Sequence, residues 1–69
     1  MNVTSSMSGT VFRILVQPGD QVNPGDEVMI LESMKMEIPI VAEEGGTVKE
    51  VRVAEGEFVQ EGDVVVVLG

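Results

Sequence analysis

Apolar positions cluster in short segments along this chain, and polar residues typical of turns separate them. Residues 11–16 and 48–53 are rich in β-branched side chains, and the later apolar positions of each segment follow a two-residue step. Such a step is typical of half-buried strands. The runs VMIL at 28–31 and VVVVL at 64–68 are continuous apolar segments of strand length. No segment shows a sustained helical period with caps, so the pattern predicts an all-β fold.

Four turns that contain Gly separate these segments. They have the sequences QPGD at 17–20, NPGD at 23–26, AEGE at 54–57 and QEGD at 60–63. Gly adopts positive φ at little cost, so turn chemistry explains the Gly and Asp pattern, and Gly25 and Gly62 are expected to have φ > 0. Val11 and Val48 are out of phase with the alternation that follows them. This predicts a bulge or kink just after the opening Gly of each segment.

The chain repeats itself. Residues 9–31 (GTVFRILVQPGDQVNPGDEVMIL) align without a gap to residues 46–68 (GTVKEVRVAEGEFVQEGDVVVVL), an offset of 37 residues. A unit of this length cannot bury its apolar face alone, so the two halves are expected to pack together with approximate two-fold symmetry. Closely spaced short strands joined by Gly turns predict a sandwich or a flattened barrel.

The segment LESMKMEIPI at 31–40 predicts a hairpin whose turn has unusual residues. Strands paired about Met34 and Lys35 place apolar residues opposite one another, apart from one like-charge pair. The predicted pairs are Leu31–Ile38, Met29–Ile40, Val28–Val41 and Glu32–Glu37. A two-residue turn of type I′ needs φ > 0 at both central positions, where Met and Lys are poor choices. A local rule broken inside a consistent pattern indicates function or strain.

Composition narrows the classes of function. The chain has 69 residues, which predicts a single domain over 1–69. Its formal net charge of -8 repels phosphate backbones, so nucleic-acid binding is not expected. Neither Cys nor His is present, which removes thiolate metal sites, disulfides and the commonest general base, so neither a metal site nor catalytic residues are predicted. The carboxylates have no apparent partner that would make them an acid–base pair.

The location of the protein is predicted from two further features. No apolar run approaches the roughly 20 residues of a membrane span. The segment MNVTSS at 1–6 lacks the basic and apolar regions of a signal peptide. We therefore expect a cytoplasmic protein with no membrane partner.

The motif ESMKME at 32–37, the G-D turns on both sides of it, and SGTV echoed by GGTV resemble the biotinyl domains of biotin-dependent carboxylases. These domains are close relatives of lipoyl domains, and the resemblance covers nearly the whole chain. It implies a flattened β-barrel, or barrel-sandwich hybrid, of two four-stranded antiparallel sheets with quasi-two-fold internal symmetry. It also implies that an exposed hairpin lysine, Lys35, is the residue that carries covalent biotin.

The same resemblance implies roles for the neighbours of Lys35. Met34 and Met36 correspond to the flanking residues that a biotin protein ligase recognises. Ordinary apolar packing is the alternative reading of these two methionines. The turn context consists of Glu32, Ser33 and Glu37. Ser33 departs from the family's usual alanine, a small residue replacing another small residue. The other lysine of the chain, Lys49, lies in a predicted strand.

As implied by the resemblance, the function is that of a biotin carboxyl carrier. Such a carrier is not an enzyme, and it shuttles carboxyl groups from a biotin carboxylase to a carboxyltransferase. The gapless repeat leaves no room for the protruding thumb found in carriers of typical bacterial acetyl-CoA carboxylase. This favours carriers of the propionyl-CoA, pyruvate, methylcrotonyl-CoA, oxaloacetate or urea carboxylase type. The chain is then either a free-standing biotin/lipoyl attachment protein or a domain of a longer protein.

Two other functions share the predicted fold. A lipoyl carrier of a 2-oxo acid dehydrogenase or of the glycine cleavage system would hold lipoate on the same lysine, but usually has Asp-Lys at the turn. An unmodified barrel-sandwich interaction module, as in membrane-fusion adaptors, lacks a lysine at the tip.

Overall fold

The structure, a computed structural model, describes residues 1–69, and every regular element in it is a β-strand. The strands are β1 (Asn2–Thr4), β2 (Gly9–Ile14), β3 (Gln21–Val22), β4 (Glu27–Ser33), β5 (Met36–Val41), β6 (Gly46–Val51), β7 (Phe58–Val59) and β8 (Val64–Leu68). No helix is long and apolar enough to cross a membrane. The all-β prediction is therefore confirmed.

The strands form two four-stranded antiparallel sheets. The hairpin sheet has the order β5-β4-β2-β7, and the terminal sheet, which contains both chain ends, has the order β1-β8-β6-β3. The offset of the sequence repeat relates β2 to β6, β3 to β7 and β4 to β8. Because β1 pairs with β8 as β5 pairs with β4, the two sheets are equivalent strand by strand. The predicted barrel-sandwich architecture with quasi-two-fold symmetry is confirmed.

Each half of the repeat completes its sheet with a short strand from the other half. β7 pairs with β2, and β3 pairs with β6. The two predicted bulges are present, because the register shifts just after Val11 in β2 and just after Val48 in β6. Val11 exchanges two backbone hydrogen bonds with the other half: its N–H donates to the Glu57 carbonyl at 2.7 Å, and its carbonyl accepts from Gly56 at 2.8 Å. Val48 makes the equivalent pair of bonds with the first half.

The space between the sheets is filled mainly by valine. Stiff β-branched side chains suit this site, because they lose little rotamer freedom when packed on a pleated surface. Four apolar residues from the alternating segments of the sequence are partly buried and pack against this core. They are Ile14, Val16, Val51 and Val53. The buried core consists of Val3, Val11, Val22, Val28, Met29, Leu31, Ile40, Ala42, Val48, Val59, Val65, Val66 and Leu68.

One predicted strand pair is wrong. Val41 lies opposite Glu27 rather than opposite Val28, because the register of β4 shifts between Glu27 and Met29. The irregularity lets the consecutive residues Val28 and Met29 both enter the core, which strict alternation would forbid. Val41 stays exposed on β5, at the edge of the hairpin sheet.

The four Gly turns share one hydrogen-bond scheme. In each turn a carboxylate accepts a hydrogen bond from the backbone N–H three residues before it, as between Asp26 and Asn23 at 2.8 Å. Gly25 and Gly62 both have a φ of 91°, which confirms the predicted positive φ. The Gly and acidic positions of the repeat are thus accounted for by the turns themselves.

We expect Gly25→Val and Gly62→Val each to lower the free energy of unfolding by about 1–3 kcal/mol, because a β-branched residue is strained at positive φ. A Cβ at either position would meet no atom within 4 Å, so the loss reports backbone strain rather than a clash. Urea unfolding followed by circular dichroism measures it. The control, Glu61→Val, has ordinary negative φ and should change stability by no more than about 0.5 kcal/mol. If Gly25→Val and Gly62→Val unfold at the same urea concentration as the parent, the two turns do not require positive φ.

Candidate functional site

The candidate site is the turn between β4 and β5. Buried side chains on the inner face of both strands hold this hairpin in one register, because a slip by one residue would turn them to solvent. Ser33 pairs with Met36 at the end of the ladder, which leaves Met34 and Lys35 as a two-residue turn. Three predicted pairs are confirmed: Met29–Ile40, Leu31–Ile38 and Glu32–Glu37.

Both central residues of the turn have positive φ, the conformation for which Met and Lys are poor choices. Met34 has a φ of 53° and Lys35 a φ of 65°, and no other residue except glycine has a positive φ in this chain. These values have the sign that type I′ requires at both central positions. The left-handed conformation costs roughly 1–2 kcal/mol for each residue that has a Cβ. The fixed register of β4 and β5 holds the turn in this conformation against that cost.

The side chains of the turn project into solvent. Met34 is 91 % exposed and Met36 is 63 % exposed, so neither contributes much to the core. Lys35 is exposed too, and its ammonium group forms no hydrogen bond or ion pair. The one salt bridge of the chain joins Arg52 to Glu50 in the terminal sheet region. The tip therefore offers a free amine between two apolar side chains.

The acidic neighbours lie beside the lysine without binding it. Glu32 and Glu37 face each other across the hairpin, as predicted, and both are exposed. Neither forms a salt bridge with Lys35. Ser33 is half-buried at the base of the turn. Two negative charges thus flank the turn on the strands that carry it.

Sequence reasoning did not identify Gly9 as a support of this hairpin. A Cβ at Gly9 would lie 2.9 Å from the Glu32 carbonyl oxygen and 3.4 Å from the Ser33 Cβ. Only glycine therefore lets β2 come this close to the base of the turn. The repetition of the opening glycine was the available signal, because Gly46 makes the equivalent close approach at the other end of the repeat. A Cβ there would lie 3.3 Å from the carbonyl oxygen of Gly69.

The surface cavities lie elsewhere. Cavities of about 160 and 430 Å³ lie along β1 and the second half of β5, and neither is lined by residues 32–37. No group of three or more Asp and Glu side chains is arranged to hold a metal ion. Lys35 thus lies outside both cavities, on the exposed turn.

A duplicated two-sheet β fold that presents a free lysine on a protruding turn has the architecture of a carrier domain. A family model described as "Biotin-requiring enzyme" matches residues 1–68, and the chain belongs to this biotin/lipoyl family. It is 56% identical over 68 residues to the "Biotin/lipoyl attachment protein" of Bacillus subtilis (strain 168). That match covers 99% of this chain and 93% of the relative.

Larger proteins contain similar domains. The chain is 46% identical over 63 residues to "Pyruvate carboxylase" of Bacillus subtilis (strain 168), covering 91% of this chain and 6% of the relative. The crystal structure of the Kluyveromyces lactis urea carboxylase matches with a TM-score of 0.93 and 32% identity, over 100% of this chain and 6% of that one. The chain therefore spans a small part of these carboxylases and nearly all of the attachment protein.

We expect the double variant Met34→Asn/Lys35→Gly to raise the free energy of unfolding by about 1 kcal/mol, because Asn-Gly is the preferred pair of a type I′ turn. Thermal melting followed by circular dichroism measures the gain. Met36→Asn is the control, since Met36 is exposed but has no positive φ, and it should not raise the melting temperature. A double variant that melts below the parent would show that the native turn is not strained.

Proposed function

We propose that this chain is a biotin carboxyl carrier in which Lys35 holds biotin through an amide bond. The observation that carries the proposal is the free, protruding lysine on a strained turn, in a chain that matches a biotin-requiring family over residues 1–68. The amine fits covalent attachment because it is exposed and has no competing partner. Biotin, when bound, supplies a ureido nitrogen that takes up and releases a carboxyl group.

Attachment requires chemistry that this chain does not supply. A lysine ammonium must lose a proton before its nitrogen acts as a nucleophile, and such amines are activated by a neighbouring base or by desolvation. No carboxylate forms an ion pair with the Lys35 ammonium, and the side chain is exposed, so the chain offers neither kind of activation. The proton is therefore removed within the complex with biotin protein ligase, which presents biotin as an acyl-adenylate. Lys35 Nζ then forms the amide bond to the acyl carbon, and AMP leaves with the electron pair of the broken bond.

The turn prepares Lys35 for this reaction by restricting its backbone. A hairpin with one register presents the amine at one place, whereas a flexible segment would have to be ordered at an entropic cost. Met34 and Met36 flank the amine with flexible apolar side chains that adapt to a partner's pocket. We assign recognition by the ligase to these two methionines, and turn context to Glu32, Ser33 and Glu37.

The partners that use the loaded carrier are a biotin carboxylase and a carboxyltransferase. Support comes from the relatives that are themselves carboxylases, in which a similar domain covers a small share of the chain. A group on a tethered arm meets both active sites at high effective concentration, so the carrier needs only weak binding at each. The carrier itself is non-catalytic. The gapless repeat supports the carboxylase types whose carriers have no thumb.

We expect Lys35 to be the one lysine that becomes biotinylated. Incubation with biotin protein ligase, ATP and biotin should add one biotin to the parent and none to Lys35→Ala, measured by intact mass and peptide mapping. Lys49→Ala is the matched control and should be labelled like the parent, because Lys49 lies within β6. Lys35→Ala should keep its stability within about 0.5 kcal/mol. Label on Lys35→Ala would contradict the assignment.

Met34→Asp is expected to lower biotinylation at least about tenfold, because an unpaired carboxylate in a pocket that receives Met costs several kcal/mol. Competition between biotin and lipoyl ligases on parent and variant, read by intact mass, also tests the lipoyl alternative. The parent should take biotin in preference to lipoate. Met36→Leu keeps an apolar side chain and should retain most of the labelling. A parent that takes lipoate as readily as biotin would show that Met34 does not select the cofactor.

A further inference from the structure

Two phenylalanines are exposed on the outer face of the hairpin sheet. Phe12 is 43 % exposed and Phe58 is 64 % exposed, and they are the only aromatic residues of the chain. Phe58 pairs with Thr10, and Phe12 lies two residues further along β2. Phe12 is the unpaired residue of the β2 bulge and is exposed like Thr10, so both rings lie on the solvent side of β2 and β7. We call these two residues the aromatic patch.

The internal repeat provides a reference for the aromatic patch. The position equivalent to Phe12 in the terminal sheet is Lys49, and the position equivalent to Phe58 is Gln21. Gln21 Nε2 donates a hydrogen bond to Thr47 Oγ1 at 2.9 Å, and Lys49 is exposed. The same fold therefore accepts polar residues at both positions. The terminal sheet needs no aromatic residue at these positions, and exposed apolar groups concentrated on one face indicate a contact with a partner.

The aromatic patch and the lysine hairpin lie on the same outer face of the hairpin sheet. One row of paired residues crosses the hairpin sheet from Phe58 through Thr10 and Glu32 to Glu37. The next row along the hairpin is Ser33 with Met36, and the turn with Lys35 follows it. The patch and the lysine thus lie on the same sheet. A macromolecule that binds the turn and extends across the outer face of this sheet would reach Phe58 first and then Phe12.

The charges around the aromatic patch are mostly negative. Glu32 and Glu37 lie between it and the turn, and the exposed Glu57 precedes Phe58 in the chain. The Arg13 guanidinium lies 5.7 Å from the centre of the Phe12 ring and is the cation on this strand. A complementary surface is therefore apolar at its centre and basic at its rim. The net charge of -8 disfavours a second copy of this chain as the occupant.

We propose that the aromatic patch is a docking surface for the enzyme that transfers biotin to Lys35, a ligase with an apolar surface rimmed by basic side chains. This inference rests on the proposed function. Before transfer the carrier has no biotin, so the ligase recognises only the protein and needs contacts beyond a two-residue turn. The enzymes that act later hold the biotin itself at the end of its arm, and they depend less on the carrier surface.

The test compares rates of biotinylation at several carrier concentrations. Phe12→Gln/Phe58→Gln replaces both rings by neutral polar residues, and its matched control Gln21→Ala/Lys49→Ala changes the equivalent positions of the terminal sheet. With biotin protein ligase, ATP and biotin, the first variant should lose at least about tenfold in kcat/KM, the scale expected for aromatic contacts at an interface. The loss should appear as a higher KM with little change in kcat. The control should stay within about twofold of the parent.

Two measurements separate docking from damage to the turn. Labelling of Lys35 by a biotin N-hydroxysuccinimide ester, without enzyme, should proceed at the same rate in parent and variants. The parent and Phe12→Gln/Phe58→Gln should have the same melting temperature, because the equivalent positions of the terminal sheet are polar in the parent. Raising the salt concentration should lower kcat/KM of the parent, because salt screens the attraction between the exposed carboxylates of the carrier and the basic side chains of the ligase.

The possible results have distinct meanings. Unchanged kcat/KM in Phe12→Gln/Phe58→Gln, with normal labelling of the parent, would overturn the docking surface and leave the proposed function intact. A parent that is not labelled at Lys35 would overturn both. Self-association that disappears in this variant while labelling is unchanged would assign the patch to a second copy instead, and it would overturn the proposal.

Discussion

The fold depends on the exchange of backbone hydrogen bonds between the two halves of the repeat. Val11 and Val48 are buried at the bulges of β2 and β6, and each binds a Gly turn of the other half through both of its backbone groups. Buried backbone groups need partners, so neither half satisfies these valines alone. The bonds bring the short strands β3 and β7 onto the opposite sheets. The packing of the core follows from this exchange, because it sets the two sheets face to face.

The strained turn is a local consequence of that rigid frame. The sheets bury the inner face of the hairpin and determine its register, so exactly two residues remain to reverse the chain. Those residues are Met34 and Lys35, both at positive φ, although Asn-Gly would serve the turn better. Strain of this kind persists where the surrounding structure is over-determined, and it is concentrated at functional sites. The strained turn lowers the stability of the fold, and it holds an accessible amine in one place between two apolar side chains.

The duplication also shows where the two halves have diverged. The backbones of the two sheets correspond strand by strand, and their Gly turns use the same hydrogen bonds. The hairpin sheet ends in the lysine turn, whereas the terminal sheet has the two chain ends at the equivalent place, joined by hydrogen bonds between Met1 and Leu68. The outer faces of the two sheets also differ. The hairpin sheet exposes Phe12 and Phe58, whereas the terminal sheet has polar residues at the equivalent positions. The two halves thus share their backbone, and they differ in the lysine turn and in the exposed side chains of the outer faces.

By itself the sequence determined the repeat, the Gly turns, the bulges after Val11 and Val48, and the two-residue turn at Lys35. These features are encoded within a few residues, as turn chemistry or as apolar periodicity, and can be read without knowing the partner strand. Only the tertiary structure decided the register at Val28, the exchange of β3 and β7, and the approach of Gly9 to the hairpin. Each depends on which residues fill the space between the sheets, and that is a property of strands distant in the chain. Local patterns specify the elements, whereas packing decides how they meet.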